Sequence, residues 1–388
     1  MHPLRHKVYA VLAVSSALVL SLAAALVTAA GAVGTGGPSP AFAPVAAAAT
    51  VVAPPAVVAD ANWILSAQLP DGAIPNYPGD DHLSPDMANQ AAEGLARAAA
   101  VTGDEAYASA AWRWLGWYQA HEGPQGFVTD YLLSGGRFVT TGDMDSTDAY
   151  AGTFLSAAGA AWSADPDQSL LLALEPGIVG AVGAIEATQD TDGLTWAKPT
   201  WHVKYLMDQA ETYGGLRSVA PLAAALGDAG LASRAAADAA RMAAGVASLW
   251  SPSEGAFSWA VYNDGVDQSV DWSRLYPDSM EEAWAVSYGL ASPAQADTIT
   301  AHLLAAQPEW DQPQSPGLVS GTTQPAGYWP VAGWTFDNAG EPAVASAAAG
   351  TIQAAADRVG RAWPFTPAAA GSLIILATGG PLAAGITG

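Results

Sequence analysis

Five tight turns alternate with five long connections along this chain, and that alternation restricts the fold more than any other feature. The turns are "VTGDE" (101–105), "SADPD" (163–167), "LGDAG" (226–230), "LASPAQ" (290–295) and "NAGEP" (338–342). Gly and Asp-Pro punctuate them, as helix stops and starts do. The long connections span 69–84, 122–144, 190–206, 251–277 and 308–329. Between them run Ala-rich segments whose apolar spacing is near 3.6. Helices are expected at 57–68, 85–101, 104–121, 145–163, 166–189, 207–226, 228–250, 278–290, 293–307, 330–339, 341–357 and 367–378. Twelve helices in six pairs, with every long loop on one rim, predict an all-α ring: an (α/α)6 toroid. Two long loops carry expected β-hairpins, "FVTDYLLSGGRFVTT" with a Gly-Gly turn and "AFSWAVYNDGVDQSVDW" with an Asn-Asp-Gly turn.

The ring does not begin at residue 1. "MHPLRHK" is basic and residues 8–34 are apolar or small, the pattern of an export signal, long enough also to serve as an uncleaved membrane anchor. Residues 35–56 read as a Gly/Pro/Ala-rich linker, so the toroid is expected over 57–388 of an exported, monomeric protein. Thirty-six acids against 13 Lys plus Arg give a formal charge of −23. Such a surface repels phosphate backbones and polyanionic glycans, which excludes nucleic acid as a partner. With no cysteine, thiolate chemistry is excluded too.

Within this frame one acidic heptad is written twice, as "MDSTDAY" (144–150) and "MDQAETY" (207–213). Both fall where a long loop enters an even-numbered helix. Asp86-x-x-Asn89 and Asp278-x-x-Glu281 echo them, at steps of 59, 63 and 70 residues from Asp86 to Asp145, Asp208 and Asp278. One reading is helix capping, since an acid at a helix start accepts from unpaired N–H groups and faces the positive dipole end. The other is chemical. The Met and Tyr of the heptad also recur, which capping does not require. The long loops also carry Trp196, Trp201, Trp259, Trp272, Trp310 and Trp329, whose flat faces beside carboxylates suit sugar rings.

In these features the chain resembles the six-hairpin glycosidases, the α/α-toroid superfamily. The likeness covers about 57–380 and rests on the hairpin count, "DGAIPNY", "DSTDAYAGTFL", "DQAETYGGL" and the closing "WPFTPAAAGSLIILATG". It implies a substrate cleft at the N-terminal ends of the inner helices, where Asp86, Asp145, Asp148, Asp208, Glu211, Asp278, Glu281 and Glu282 would lie. It also implies hydrolysis of a neutral glycan, mostly by inversion, with no cofactor. That chemistry needs one carboxyl protonated and a second ionised. Asp148 and Glu211 are the favoured pair, with Asp145 and Asp208 capping and orienting and Glu282 in reserve. Trp196, Trp201, His202, Trp259, Trp272, Trp329, Tyr150 and Tyr213 are candidates for binding sugar. His82 beside Asp80 and Asp81 is too sparse a set for a transition metal, although the two aspartates could hold calcium. A lyase would need more cations than Arg137, Lys198, Lys204 and Arg274 supply. A toroid that binds glycan without cleaving it is the other reading.

Overall fold

The computed structural model describes residues 54–312 and 327–379. The expected export signal, residues 35–53 of the expected linker and most of the loop at 308–329 lie outside them; the last two linker residues, Pro55 and Ala56, belong to the first helix. Among the described residues, twelve helices follow in order: α1 Pro55–Ala67, α2 Pro85–Thr102, α3 Glu105–Ala120, α4 Thr147–Ala164, α5 Gln168–Thr188, α6 Leu206–Leu226, α7 Ala229–Ser248, α8 Asp278–Ser287, α9 Pro293–Ala306, α10 Pro330–Asn338, α11 Pro342–Arg358 and α12 Pro367–Ala377. The even-numbered helices form a closed inner ring, in which α2 packs on α4, α4 on α6, α6 on α8, α8 on α10, α10 on α12, and α12 back on α2. The odd-numbered helices lie outside. Most residues of α2, α4 and α6 and all of those of α8 are buried in consequence, polar ones included. The protein is thus an all-α toroid of six helical hairpins.

Closing so tight a ring requires inner helices that touch backbone to backbone. A Cβ added at Gly215 of α6 would run into the carbonyl of Gly152 on α4, and one at Gly94 of α2 into the Cα of Gly371 on α12. The outer helices differ at their starts. Asp104, Asp167, Asp228 and Ser292 cap α3, α5, α7 and α9 with side-chain hydrogen bonds.

Short strands decorate the rim: β1 His82–Leu83, β2 Tyr131–Ser134, β3 Arg137–Thr140, β4 Lys204–Tyr205, β5 Trp250–Ser251, β6 Ala256–Phe257, β7 Ala260–Val261 and β8 Asp267–Gln268. The Gly135-Gly136 hairpin joins β2 to β3 as expected, with β1 added at its edge. The second expected hairpin is rearranged. β7 and β8 flank the Asn-Asp-Gly turn, but Ala256–Phe257 turns away to pair with β5, while β4 takes the free edge of β7. The Leu206 amide at the start of α6 donates to the Trp259 carbonyl at 3.0 Å, so this loop is stitched to α6 rather than standing free.

Candidate active site

The starts of α2, α4, α6 and α8 surround a bowl of about 220 Å³. Asp86, Asp145, Asp208 and Glu281 bring four carboxyls to its wall. Ser146, Tyr150, Tyr205, Met207, Trp259 and Tyr276 complete the lining. The capping account of these acids does not hold, because none of the four helix starts has a side-chain cap. The acids stand at these helix starts without capping them, while outer helices α3, α5, α7 and α9 carry side-chain caps.

Asp208 stands in the first turn of α6, half-buried. Burial drives its carboxyl well above the usual range, and the like charges of Asp148, Glu281 and Asp145 push it further. The Ser146 hydroxyl lies 2.9 Å from Asp208 Oδ2 and 2.7 Å from Asp148 Oδ1. Asp148 itself is fully buried and does not line the bowl. The Ala149 amide donates to its Oδ1 at 2.9 Å, and the Thr195 hydroxyl to its Oδ2 at 2.6 Å. Burial raises its carboxyl to about 6 against the opposing hydrogen bonds of Thr195, Ser146 and Ala149.

Glu281 lines the bowl from α8, and its Oε2 accepts from the Met207 amide at the start of α6. Burial drives it well above the usual range, with Glu282 and Asp278 adding to the effect. Asp145, just before α4, differs. The residue is exposed at the rim. The wall around its carboxyl raises it, but the Lys198 ammonium draws it back. That ammonium is held by Asp143 at 3.1 Å and by the Met144 carbonyl.

Two acids of the expected set sit below the bowl. Glu211 is fully buried and accepts from Trp284 Nε1 at 3.2 Å, while its Oε2 has no hydrogen-bond partner. Burial drives it far upward, with Asp86 and Asp208 adding like charge. Glu282 is sealed under the β5–β6 hairpin, where it accepts from the Phe257 amide at 3.0 Å. The structure therefore brings Asp145 and Asp208 to the bowl and leaves Asp148, Glu211 and Glu282 behind its floor.

Of the aromatic candidates, Tyr150 and Trp259 reach the bowl. Trp196 and His202 stack on each other at 3.9 Å in a separate polar groove with Asp190, Asp192 and Lys204. Trp201 is exposed. Trp272 stacks on His302, Trp310 on Phe336 and Trp329 on Tyr276, so these three pack locally. Tyr213 lies against Arg217.

A larger chamber of about 520 Å³ adjoins the bowl and shares Asp145 and Tyr150 with it. The Tyr150 hydroxyl donates to Asp130 at 2.6 Å and accepts from the Asp145 amide at 3.3 Å, which fixes the partition between the two spaces. Asp80 and His82 also line this chamber. One ligand atom each from Asp80, Asp81 and His82 lies within 4.8 Å of the others, and His82 Nδ1 is already 2.7 Å from Asp81.

Sequence reasoning placed Glu281 and Asp86 at the helix starts but left them out of the favoured set. It passed over Ser146, Thr195, Tyr205 and Tyr276. Ser146 stands inside the first heptad and Tyr205 two residues before the second, so proximity to the repeat was the available signal.

No family model matches this sequence, and no curated protein matches it. Solved structures do. A glycosidase variant in complex with glucose superposes with a TM-score of 0.58 at 18% identity, over 84% of this chain and 95% of that one. A GH63 mannosylglycerate hydrolase from Thermus thermophilus, also with glucose, gives 0.61 at 12% identity, over 84% and 99%. A GH78 rhamnosidase of a Bacillus species gives 0.50 at 13%, over 74% of this chain and 31% of that one. At these identities the likeness establishes the toroid fold.

Proposed function

We propose that this protein is a glycoside hydrolase acting on a neutral glycan, with Asp208 as general acid and Asp145 as general base. The observation that carries the reading is the difference in surroundings across one bowl. Asp208 is crowded by like charges that push its carboxyl well above the usual range, whereas Asp145 stands exposed at the rim, where the Lys198 ammonium opposes its rise. Carboxyl pairs whose surroundings drive them apart in this way are how one site runs acid and base chemistry together. The bowl has space on the scale of one pyranose, and Trp259, Tyr205 and Tyr276 offer it aromatic faces. The glucose in two structural relatives fits a pyranose ligand.

In this mechanism Asp208 protonates the glycosidic oxygen while Asp145 removes a proton from water attacking the opposite face of the ring. The sugar is released with inverted configuration. The apolar N-terminal stretch and the scarcity of cations suit an exported enzyme with an uncharged substrate. The test is to incubate the protein with plant, fungal and bacterial wall glycans and follow reducing-end release, with proton NMR of the first anomer formed. Release of the inverted anomer, lost in Asp208→Asn and Asp145→Asn, supports the proposal. Binding without release, unchanged by those substitutions, would make it a glycan-binding toroid.

A further inference from the structure

A hydroxyl has one proton, yet Ser146 Oγ lies within hydrogen-bond distance of carboxylate oxygens on both Asp148 and Asp208. The two contacts cannot both be donations from Ser146. One carboxyl must donate to Ser146 Oγ while the serine donates to the other, so this trio holds an acidic proton. Only Asp208 faces the bowl. Asp148 lies behind it, where the Ala149 amide and the Thr195 hydroxyl supply two further donors besides Ser146. The Thr195 amide already serves Gln209 Oε1 at 2.7 Å. Its hydroxyl makes its shorter contact, 2.6 Å, to Asp148, against 3.0 Å to Gln209.

We propose that Ser146 relays a proton from Asp148 to Asp208 as Asp208 discharges into the bowl, which leaves the negative charge on Asp148. The inference rests on reading Asp208 as the acid. The relay starts with both carboxyls protonated, Asp148 on Oδ1 toward Ser146 and Asp208 on Oδ1 toward the bowl, and the Asp208 Oδ1–H bond breaks as its proton joins the glycosidic oxygen. The Ser146 O–H proton then passes to Asp208 Oδ2, and the Asp148 Oδ1 proton passes to Ser146 Oγ. The hydroxyl is restored, Asp208 is neutral again, and the electron pair left behind stays on Asp148. There three donors hold it: Ala149 N–H, Thr195 O–H and Ser146 O–H. Without the relay the charge would remain on Asp208, facing Asp145, Glu281, Glu211, Tyr205 and Tyr276. Asp148 is in this sense a positioning residue and a charge reservoir, which explains why it is buried behind the site rather than in it.

The experiment has two arms. Infrared difference spectra of the ligand-free protein across pH should show the protonated-carboxyl band of the trio, identified by its loss in Asp148→Asn and Asp208→Asn. Ser146→Ala should split that band into two independent titrations, and Ser146→Thr, which retains the hydroxyl, should restore it. A Ser146→Ala spectrum identical to wild type overturns the relay. In the second arm, hydrolysis of a nitrophenyl glycoside should fall about tenfold in kcat in Ser146→Ala with KM unchanged. A dinitrophenyl glycoside, whose leaving group needs no proton, should be unaffected, and Ser146→Thr should recover the loss. Equal kcat for wild type and Ser146→Ala on the nitrophenyl glycoside also overturns it. If Asp208→Asn cleaves both glycosides as wild type does, the acid assignment fails instead, and the infrared arm still decides whether the proton is shared.

Discussion

Glu281, in the first turn of α8, accepts a hydrogen bond from the backbone amide of Met207, the second residue of α6. The first N–H groups of a helix have no partner within it. One such group here is satisfied by a carboxyl from the neighbouring inner helix, so part of the bowl wall is also a joint of the ring. Glu281→Ala should therefore cost about 1–3 kcal/mol, the penalty of a buried amide left unpaired. Glu281→Gln retains an acceptor, sheds a crowded acid and should match or exceed wild-type stability. Chemical denaturation of the two variants checks this.

The catalytic assignment separates residues three apart on one helix. Asp208→Asn should lower kcat by about 10²- to 10⁴-fold, the usual worth of a positioned acid or base. Its thermal stability should hold or rise, because a carboxyl whose ionisation the site opposes is replaced by a neutral amide. Asp145→Asn should lose turnover over the same range. Steady-state kinetics beside a melting curve would show both.

Glu211→Gln should behave otherwise. Burial drives the Glu211 carboxyl upward, and the residue does not line the bowl. An isosteric amide there preserves its hydrogen bond with Trp284 only in the orientation that keeps oxygen toward the indole. We expect kcat within about threefold of wild type, against the far larger losses at Asp208 and Asp145. A loss of the same size as theirs would place Glu211 in the machinery.

The ring closes where glycines meet. Gly215→Ala drives a methyl into the Gly152 carbonyl, and Gly94→Ala drives one into Gly371. Each should destabilise the fold by about 1–3 kcal/mol, as overpacking of a filled core does. Gly116→Ala, on outer helix α3 with open space around it, should be neutral or slightly stabilising. Urea titration of the three variants compares them directly.

Stability should fall as pH rises through the mildly acidic and neutral range. Burial lifts Glu122 from 4.5 to about 8, and lifts Asp130 from 3.8 to about 6 with Asp145 and Asp143 adding to it and Tyr150 opposing. The folded state then binds more protons than the unfolded chain between those values, and unfolding free energy declines with pH. For Glu122 the contribution is complete below about 4.5 and gone above about 8. Melting temperature should drop between pH 5 and pH 8, roughly the window those groups span, and Glu122→Gln should flatten the upper part of the curve.

The ring was legible before any coordinates because its determinants are local. Glycine and Asp-Pro stops, alanine-rich segments and alternating loop lengths are written along the chain, and helix ends such as 85, 293 and 330 fall where proline first appears. The heptads also marked the correct rim. The pairing of 256–257 was not legible, because two strands competed for neighbouring edges and only the packed loop chose between them.

What sequence alone determined, then, is that acids recur at inner helix starts. At α4 and α6, which of them face the bowl was decided by depth, whereas at α8 the later acid, Glu281, lines it. An α-helix rises about 1.5 Å per residue, so an acid three positions further on lies roughly 4.5 Å deeper while staying on nearly the same side. Periodicity specifies the face of a helix but not the level at which neighbouring helices close the floor. That level comes from the ring as a whole, and it leaves Asp145 and Asp208 open to the bowl with Asp148 and Glu211 sealed beneath.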